Sequence, residues 1–390
     1  METDNIIIGK KLDQIFNQIT KFNNPMSYKK RNPYIDFIRI LGMYAIIVHH
    51  VLVHGKAIEK YKHYYQLSLM NIFSFWHVSS FALVSGIVGY KTNKYSNLLY
   101  LWLCTIFYSI GIHLAYQKYK PNAAKEKVFT FCYPVVFFKY WYFTEYFGMY
   151  LFLPLINNSI EHISKDDLKL VILSLLGIFI FWKDYMTHND VFGMLYGYSV
   201  LGLLILYITG TYFGKYRIQI NRFLFKVIVC LVCILIFFLS SLLCFYLPYY
   251  KGKFSNWKMI IKLKKLFRMR INSLTMILQA ISLTIFLSQF NYNKYLGKII
   301  TFLGPLTFGV YLIHEHPDVR SNIIKNLFTK DSKNLPLIKV IYLVLSRSLS
   351  LFFICSIIDY IRNVIFMLFK IRKICIFLET KIKEIIKLIF

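Results

Sequence analysis

The stretch IDFIRILGMYAIIVHHVLVHG, residues 35–55, has the length and apolar content of a membrane-spanning helix, yet it carries Asp36, Arg39, His49, His50 and His54. A span needs about 20 mostly apolar residues. Ionisable groups inside it cost roughly 3 kcal/mol each at the bilayer centre unless they face protein or a wet cavity. At about 100° per residue, Arg39 and His50 fall about 20° from the same direction, with Asp36 and His54 each about 60° from Arg39. His49 is turned about 80° away from that stripe. Four of the five polar groups therefore share one face, which is expected to point into a helix bundle. The alternative is an ordinary Asp36–Arg39 ion pair at the start of the helix, with the histidines at its exit.

Similar apolar runs recur to the end of the chain. The 390 residues are 57% hydrophobic with a mean hydropathy of +0.50, the composition of a polytopic membrane protein. We read spans at roughly 35–55, 67–90, 97–117, 141–157, 168–182, 195–214, 223–248, 272–290, 299–315 and 338–360. The expected fold is an all-α bundle of about ten transmembrane helices. The connections near 118–140, 249–271 and 316–337 are too short for a soluble domain, so residues 35–360 form one integral-membrane domain. Residues 1–34 lack the apolar core and cleavage site of a secretory signal, and the first span is expected to serve for insertion. In this N-terminal segment Ile8, Leu12, Ile15, Phe16 and Ile19 recur at helical spacing among polar residues, and residues 361–390 mix Lys with Ile and Phe in the same way. Both read as amphipathic helices on the membrane surface.

The formal charge of +29 would suggest nucleic acid in a soluble chain. Here the Lys and Arg residues cluster at the ends of apolar segments, where they meet lipid headgroups, and no nucleic-acid-binding motif accompanies them. They divide almost equally between alternate loops, so the positive-inside rule gives no orientation. The 249–271 loop is especially basic and reads as another surface-lying amphipathic piece. The seven cysteines lie mostly within apolar segments without metal-ligand spacing and read as packing residues.

Eleven residues at about 1.5 Å each separate Arg39 from His50 by roughly 16 Å, so the two do not meet within their helix. A long anionic ligand could be held at one end by Arg39, whose guanidinium suits phosphate. Its other end would reach His50, an imidazole able to take a proton near neutral pH or to act as a nucleophile.

The same stretch, with arginine, ten residues and histidine, resembles the opening signature of the acyltransferase type 3 family, integral-membrane enzymes that O-acylate sugars. Three further blocks follow in family order. SSFALVSGIVGY is similar through Phe81, Ser85 and Gly86; KYWYFTEYFGMYLFLPLIN through Trp141, Tyr142, Tyr146 and Pro154; LGPLTFGVYLIHEHP through Tyr311 and His314. The later blocks are most similar to the branch that acetylates capsular and exopolysaccharides.

The resemblance implies an O-acetyltransferase that moves acetyl from acetyl-CoA, a donor substrate rather than a resident cofactor, onto a hydroxyl of a cell-surface or lipid-linked glycan. It implies a multi-pass protein of the plasma membrane. His50 would deprotonate the hydroxyl or be transiently acylated. Donor contacts fall to Arg39, to Ser85 and to Lys91, which with Lys94 stands where many members carry arginines; Ser85 also reads as polar glue between helices. His314 is either catalytic or acceptor-binding, or a helix cap. Glu145, unusual within an aromatic block, is either a partner for an imidazole or Arg39 or a surface residue. Trp141 and Tyr142 either stack on the acceptor sugar or belong to the interfacial aromatic belt. No metal site is expected, because His314 and His316 do not share a helical face and the HExxH spacing is absent. The competing reading is a transporter or flippase of lipid-linked glycan, although the two halves of the chain show no self-similarity.

Overall fold

Asn32 starts the deciding helix: its side chain accepts the Tyr34 backbone N–H at 3.3 Å, and Pro33 occupies the first helical position. The resulting helix α1, Pro33–Val53, is seen in a computed structural model that describes residues 31–91, 94–120, 127–186, 189–216, 219–247, 262–264 and 266–389. Residues 1–30, and with them most of the expected N-terminal amphipathic helix, lie outside the described residues, as does most of the basic 249–271 loop.

Every apolar run read as a span contains helix. The second is broken: α2, Tyr64–Ser74, gives way at Phe75 and Trp76 to α3, His77–Gly89. Then come α4, Tyr95–Tyr119, and α5, Trp141–His162. Helix α6, Lys165–Leu176, runs on through a wider π turn, Gly177–Trp182. After α7, Val200–Lys215, α8, Phe223–Tyr246, and α9, Leu274–Ser288, a bent segment follows. It consists of α10, Lys294–Leu303, a short turn, and α11, Thr307–His314. Helix α12, Pro317–Asn322, precedes the long α13, Leu337–Leu368, and the terminal α14, Ile371–Ile389. The described residues contain no strand.

Among the described residues, six stretches are long and apolar enough to cross a membrane: Pro33–Lys60, Tyr64–Gly89, Tyr95–Tyr119, Phe223–Tyr246, Lys294–His314 and Leu337–Leu368. Val200–Lys215 and Leu274–Ser288 are shorter apolar helices. The protein is thus an all-helical, multi-pass membrane protein. The last span differs from its expected limit of 360. It continues to Leu368, and the chain turns only at Lys370, which adopts a left-handed φ of 52°.

Helix α1 is the post around which α2, α3, α9, α10 and α13 are packed, and this explains why its polar face is enclosed. Its apolar residues Ile47, Val51 and Leu52 are fully buried with Val310, Leu312, Val340 and Val344 in the largest core cluster. The α3–α7 crossing is closer than side chains allow. A Cβ on Gly86 would strike the Tyr207 carbonyl, and one on Gly210 the Leu83 carbonyl. Dispersion between closely apposed backbones then replaces the hydrophobic effect, which supplies little between helices in lipid. The opposite side of α8 presents Leu224, Leu231, Leu235 and Phe238 outward, as a lipid-facing surface would.

Candidate active site

A cavity of about 370 Å³ runs along the polar stripe of α1. Arg39 and His50 both line it, one near each end, as the helical phase requires. Arg31, Arg362 and Arg372 line it with Arg39, His77 and Tyr311 lie with the His50 cluster, and Trp141 and Tyr142 also line the wall.

At the His50 end the ring nitrogens can be assigned. His314 Nδ1 lies 2.6 Å from the Val310 carbonyl oxygen, one helical turn back. A carbonyl only accepts, so Nδ1 carries the proton of the neutral ring and Nε2 presents a lone pair. His50 Nδ1 lies 3.2 Å from that Nε2 and therefore donates to it. Glu315 Oε2 stands 3.1 Å from the same His50 nitrogen but makes no hydrogen bond, being off the N–H axis. Its other oxygen, Oε1, accepts from Arg320 Nη1 at 2.6 Å. His50 Nε2 is the nitrogen left over: it makes no hydrogen bond among the described residues, and the His50 side chain lines the cavity. A neutral imidazole with its proton fixed on the far nitrogen, beside a buried carboxylate, is arranged to accept a proton through Nε2.

His49 behaves differently, as its phase predicted. Its Nδ1 pairs with Asn71 Oδ1 at 2.7 Å, and it does not line the cavity. His77 lines the cavity, is 3% exposed, and among the described residues neither of its ring nitrogens has a hydrogen-bond partner. His316, two residues beyond His314, faces the other way and meets the Ser109 carbonyl at 3.1 Å beside the ring of Phe131.

The other end is built from charge. Buried Asp36 takes a bidentate fork from Arg31, at 2.7 and 2.5 Å, and a single bond from Arg39 Nη1 at 3.1 Å. Gly304 leaves room for this carboxylate, which a Cβ there would overlap. The Asp36–Arg39 pair proposed as the simpler reading is therefore real, and it coexists with the cavity. Across the cavity, Asp359 receives Arg362 Nη2 at 2.6 Å and Tyr108 Oη at 2.9 Å. Arg372, in the first turn of α14, lies over the Tyr100 ring at 5.1 Å. Four arginines face two aspartates here, which leaves an excess of positive charge. Helix α14 is held in place by Glu379, whose carboxylate accepts the Tyr95 and Ser96 backbone N–H groups at 3.2 and 2.9 Å and so caps the start of α4. Burial would raise this carboxyl, but bonds from Lys383 and Ser96 hold it down to about 2.

Among the residues singled out from sequence, Arg39, His50, Ser85, Trp141 and Tyr142 line the cavity. His314 does not, but it supports His50 from behind. Ser85 Oγ bonds the Phe81 carbonyl at 2.8 Å. Trp141 packs on Tyr198, with ring centroids 4.4 Å apart, inside the bundle. Lys91 is exposed at the end of α3 over the Tyr90 ring, and Glu145 also lies off the cavity. The carboxylates beside His50 and Arg39 are Glu315 and Asp36. Sequence reasoning missed Arg362 and Arg372 because both were assigned to the terminal segment. The available signal was Asp359 and Arg362, an i,i+3 opposite-charge pair inside an apolar run.

An all-helical membrane bundle whose charged cavity ends on a base-competent histidine defines a class of membrane-embedded enzyme. A family model described as an acyltransferase domain matches residues 32–359, and the chain belongs to the acyltransferase type 3 family. Comparison with curated proteins and with solved structures gave no match.

Proposed function

We propose that the protein is an O-acetyltransferase that moves acetyl from acetyl-CoA to a hydroxyl of a cell-surface or lipid-linked glycan. The observation that carries this reading is one continuous cavity lined by arginines and by His50, whose Nε2 is the nitrogen left over. Diphosphate and phosphate groups of the donor meet Arg39, Arg31, Arg362 and Arg372, where bidentate guanidinium contacts are strong. Its flexible arm follows α1 for the roughly 16 Å to His50. The glycan ring approaches Trp141 and Tyr142.

Nε2 of His50 takes the hydroxyl proton as the oxygen attacks the thioester carbon. The C–S bond then breaks, and the proton passes from His50 to the departing thiolate. The positive charge that forms on His50 is stabilised by the Glu315 carboxylate at 3.1 Å, while His314 fixes the ring's orientation. Direct transfer is favoured over an acyl-imidazole because this network prepares His50 to receive a proton.

In the same reading all ten apolar segments cross the plasma membrane and α14 lies along its surface. Both termini are cytoplasmic, so the donor enters from the cytoplasm through the arginine end. The test is the ester-linked acetate content of surface glycans from cells with the protein, without it, and with His50→Ala. Equal acetate in all three rejects the assignment.

A further inference from the structure

We propose that His50, His314 and Glu315 form a binding site for a borderline divalent cation of the Zn²⁺ type, and that occupancy switches off the acyl transfer proposed above. The inhibitory half rests on that reading; the binding half does not.

The sequence argument against a metal concerned His314 and His316, and the structure does separate those two rings. It gathers a different set, one histidine from α1 and two adjacent residues at the end of α11. His50 Nδ1, His314 Nε2 and Glu315 Oε2 all lie within 4.8 Å of one another. Two of the three separations are 3.2 and 3.1 Å. Tetrahedral zinc with bonds of about 2.0–2.1 Å places its ligand atoms about 3.3–3.4 Å apart, so those two edges need to open by only a few tenths of an ångström. Two nitrogens, one carboxylate oxygen and a fourth open position are a donor set that zinc takes.

The groups behind the ligands are in place. A ligating histidine donates its other ring N–H to a carbonyl or carboxylate, and His314 does so to Val310. The second oxygen of Glu315 is fixed by Arg320. What remains is Oε2, buried and without a hydrogen-bond partner among the described residues. Such an atom costs stability unless something else uses it.

Cation binding and base catalysis exclude each other at His50. A cation needs the Nδ1 lone pair, so the single ring proton of neutral His50 moves to Nε2, the nitrogen that accepts the hydroxyl proton during transfer. The ring keeps its one proton, but the base is gone.

The experiment uses full-length protein in detergent, stripped with a chelator and titrated with Zn²⁺ alone by calorimetry, with bound metal counted by mass spectrometry. One Zn²⁺ per chain is expected, weakened at least roughly tenfold by either Glu315→Gln or His314→Gln and unchanged by His54→Ala. Glu315→Gln is nearly isosteric, and Co²⁺ binding to the wild-type chain with the absorption of a tetrahedral complex gives a readout that needs no variant. Unchanged stoichiometry and affinity in both variants, or loss on His54→Ala alone, overturns the site. In the second arm, Zn²⁺ abolishes acetyl transfer and chelation restores it. Activity that requires Zn²⁺ overturns the inhibitory role. Stoichiometric, variant-sensitive binding in a protein with no transferase activity at all would leave the site standing and remove the proposed function instead.

Discussion

The two ends of the cavity solve the same problem, charge inside a membrane, in opposite ways. At the arginine end Arg31 and Arg39 are exposed in part, retaining 29% and 26% of their side-chain surface, while the Asp36 between them retains 2% and the Asp359–Arg362 pair is buried. At the histidine end His314 and His316 are wholly buried, and His50 and Glu315 nearly so. A part-open cluster with surplus cations is suited to binding an anion that arrives from water. A closed cluster with one proton to place is suited to chemistry, where each group is worth more because water does not compete. Substitutions should therefore separate: turnover changes at one end, donor affinity at the other.

The largest effect belongs to His50→Ala, which should lower kcat by roughly 10²–10⁴-fold, the usual worth of a general base, while leaving expression and membrane insertion intact. His49→Ala, on another face and paired to Asn71, should cost far less. A dead His49→Ala beside an active His50→Ala would show that the phase of α1 has been read wrongly. Glu315→Gln comes next. Removing the carboxylate of a Ser-His-Asp triad costs about 10⁴-fold; here His314 still holds His50, so roughly a hundredfold loss in kcat with an unchanged donor KM is expected. A rise in KM with kcat intact would move Glu315 out of the proton-handling group.

That contrast between the ends was partly visible in the sequence. Periodicity 3.6 places Arg39 and His50 on one stripe whatever the tertiary structure, because both lie on one uninterrupted helix. Glu315 was not recoverable in this way. It meets His50 only because α11 ends beside α1, and a contact between residues so far apart in the chain has no local signature. His314 and its neighbour diverge from His316 because the helix stops between them: His316 caps α12 by accepting the Asp318 N–H at 3.2 Å. Arg362 was hidden by a boundary placed at 360, whereas the helix runs on to Leu368. The resemblance pointed to Lys91 for the donor, but the end of α3 carries it away from the cavity.

At the arginine end, Arg39→Lys replaces a planar fork by a point charge and should weaken acyl-CoA binding about tenfold, or about 1.4 kcal/mol, with little change in kcat. Donor titration of the variant in nanodiscs measures this, and unchanged affinity would take Arg39 out of the donor site. Glu379→Ala should act at one remove. It frees the start of α4, loosens α14 and with it Arg372; since a lost cap costs about 1 kcal/mol, donor KM should rise by a few-fold. A kcat effect in this variant would mean that α14 communicates with the histidine end, and the two ends would not be separable.

The smallest expected effect is the most discriminating for the extent of the donor site. Lys91 is a cation just beyond α3, where the family resemblance leads one to look for phosphate contacts. In the structure its ammonium lies 5.3 Å from the centroid of the Tyr90 ring and the residue is exposed. An exposed cation outside the cavity contributes to a bound anion only through screened, long-range attraction, which falls off over about 8 Å at physiological salt. Lys91→Gln should therefore change donor KM by less than about twofold, and raising the ionic strength should erase even that difference. A tenfold loss that persists in high salt would require direct contact, and the donor would then extend past the arginine cluster along the end of α3, with part of its phosphate load outside the cavity.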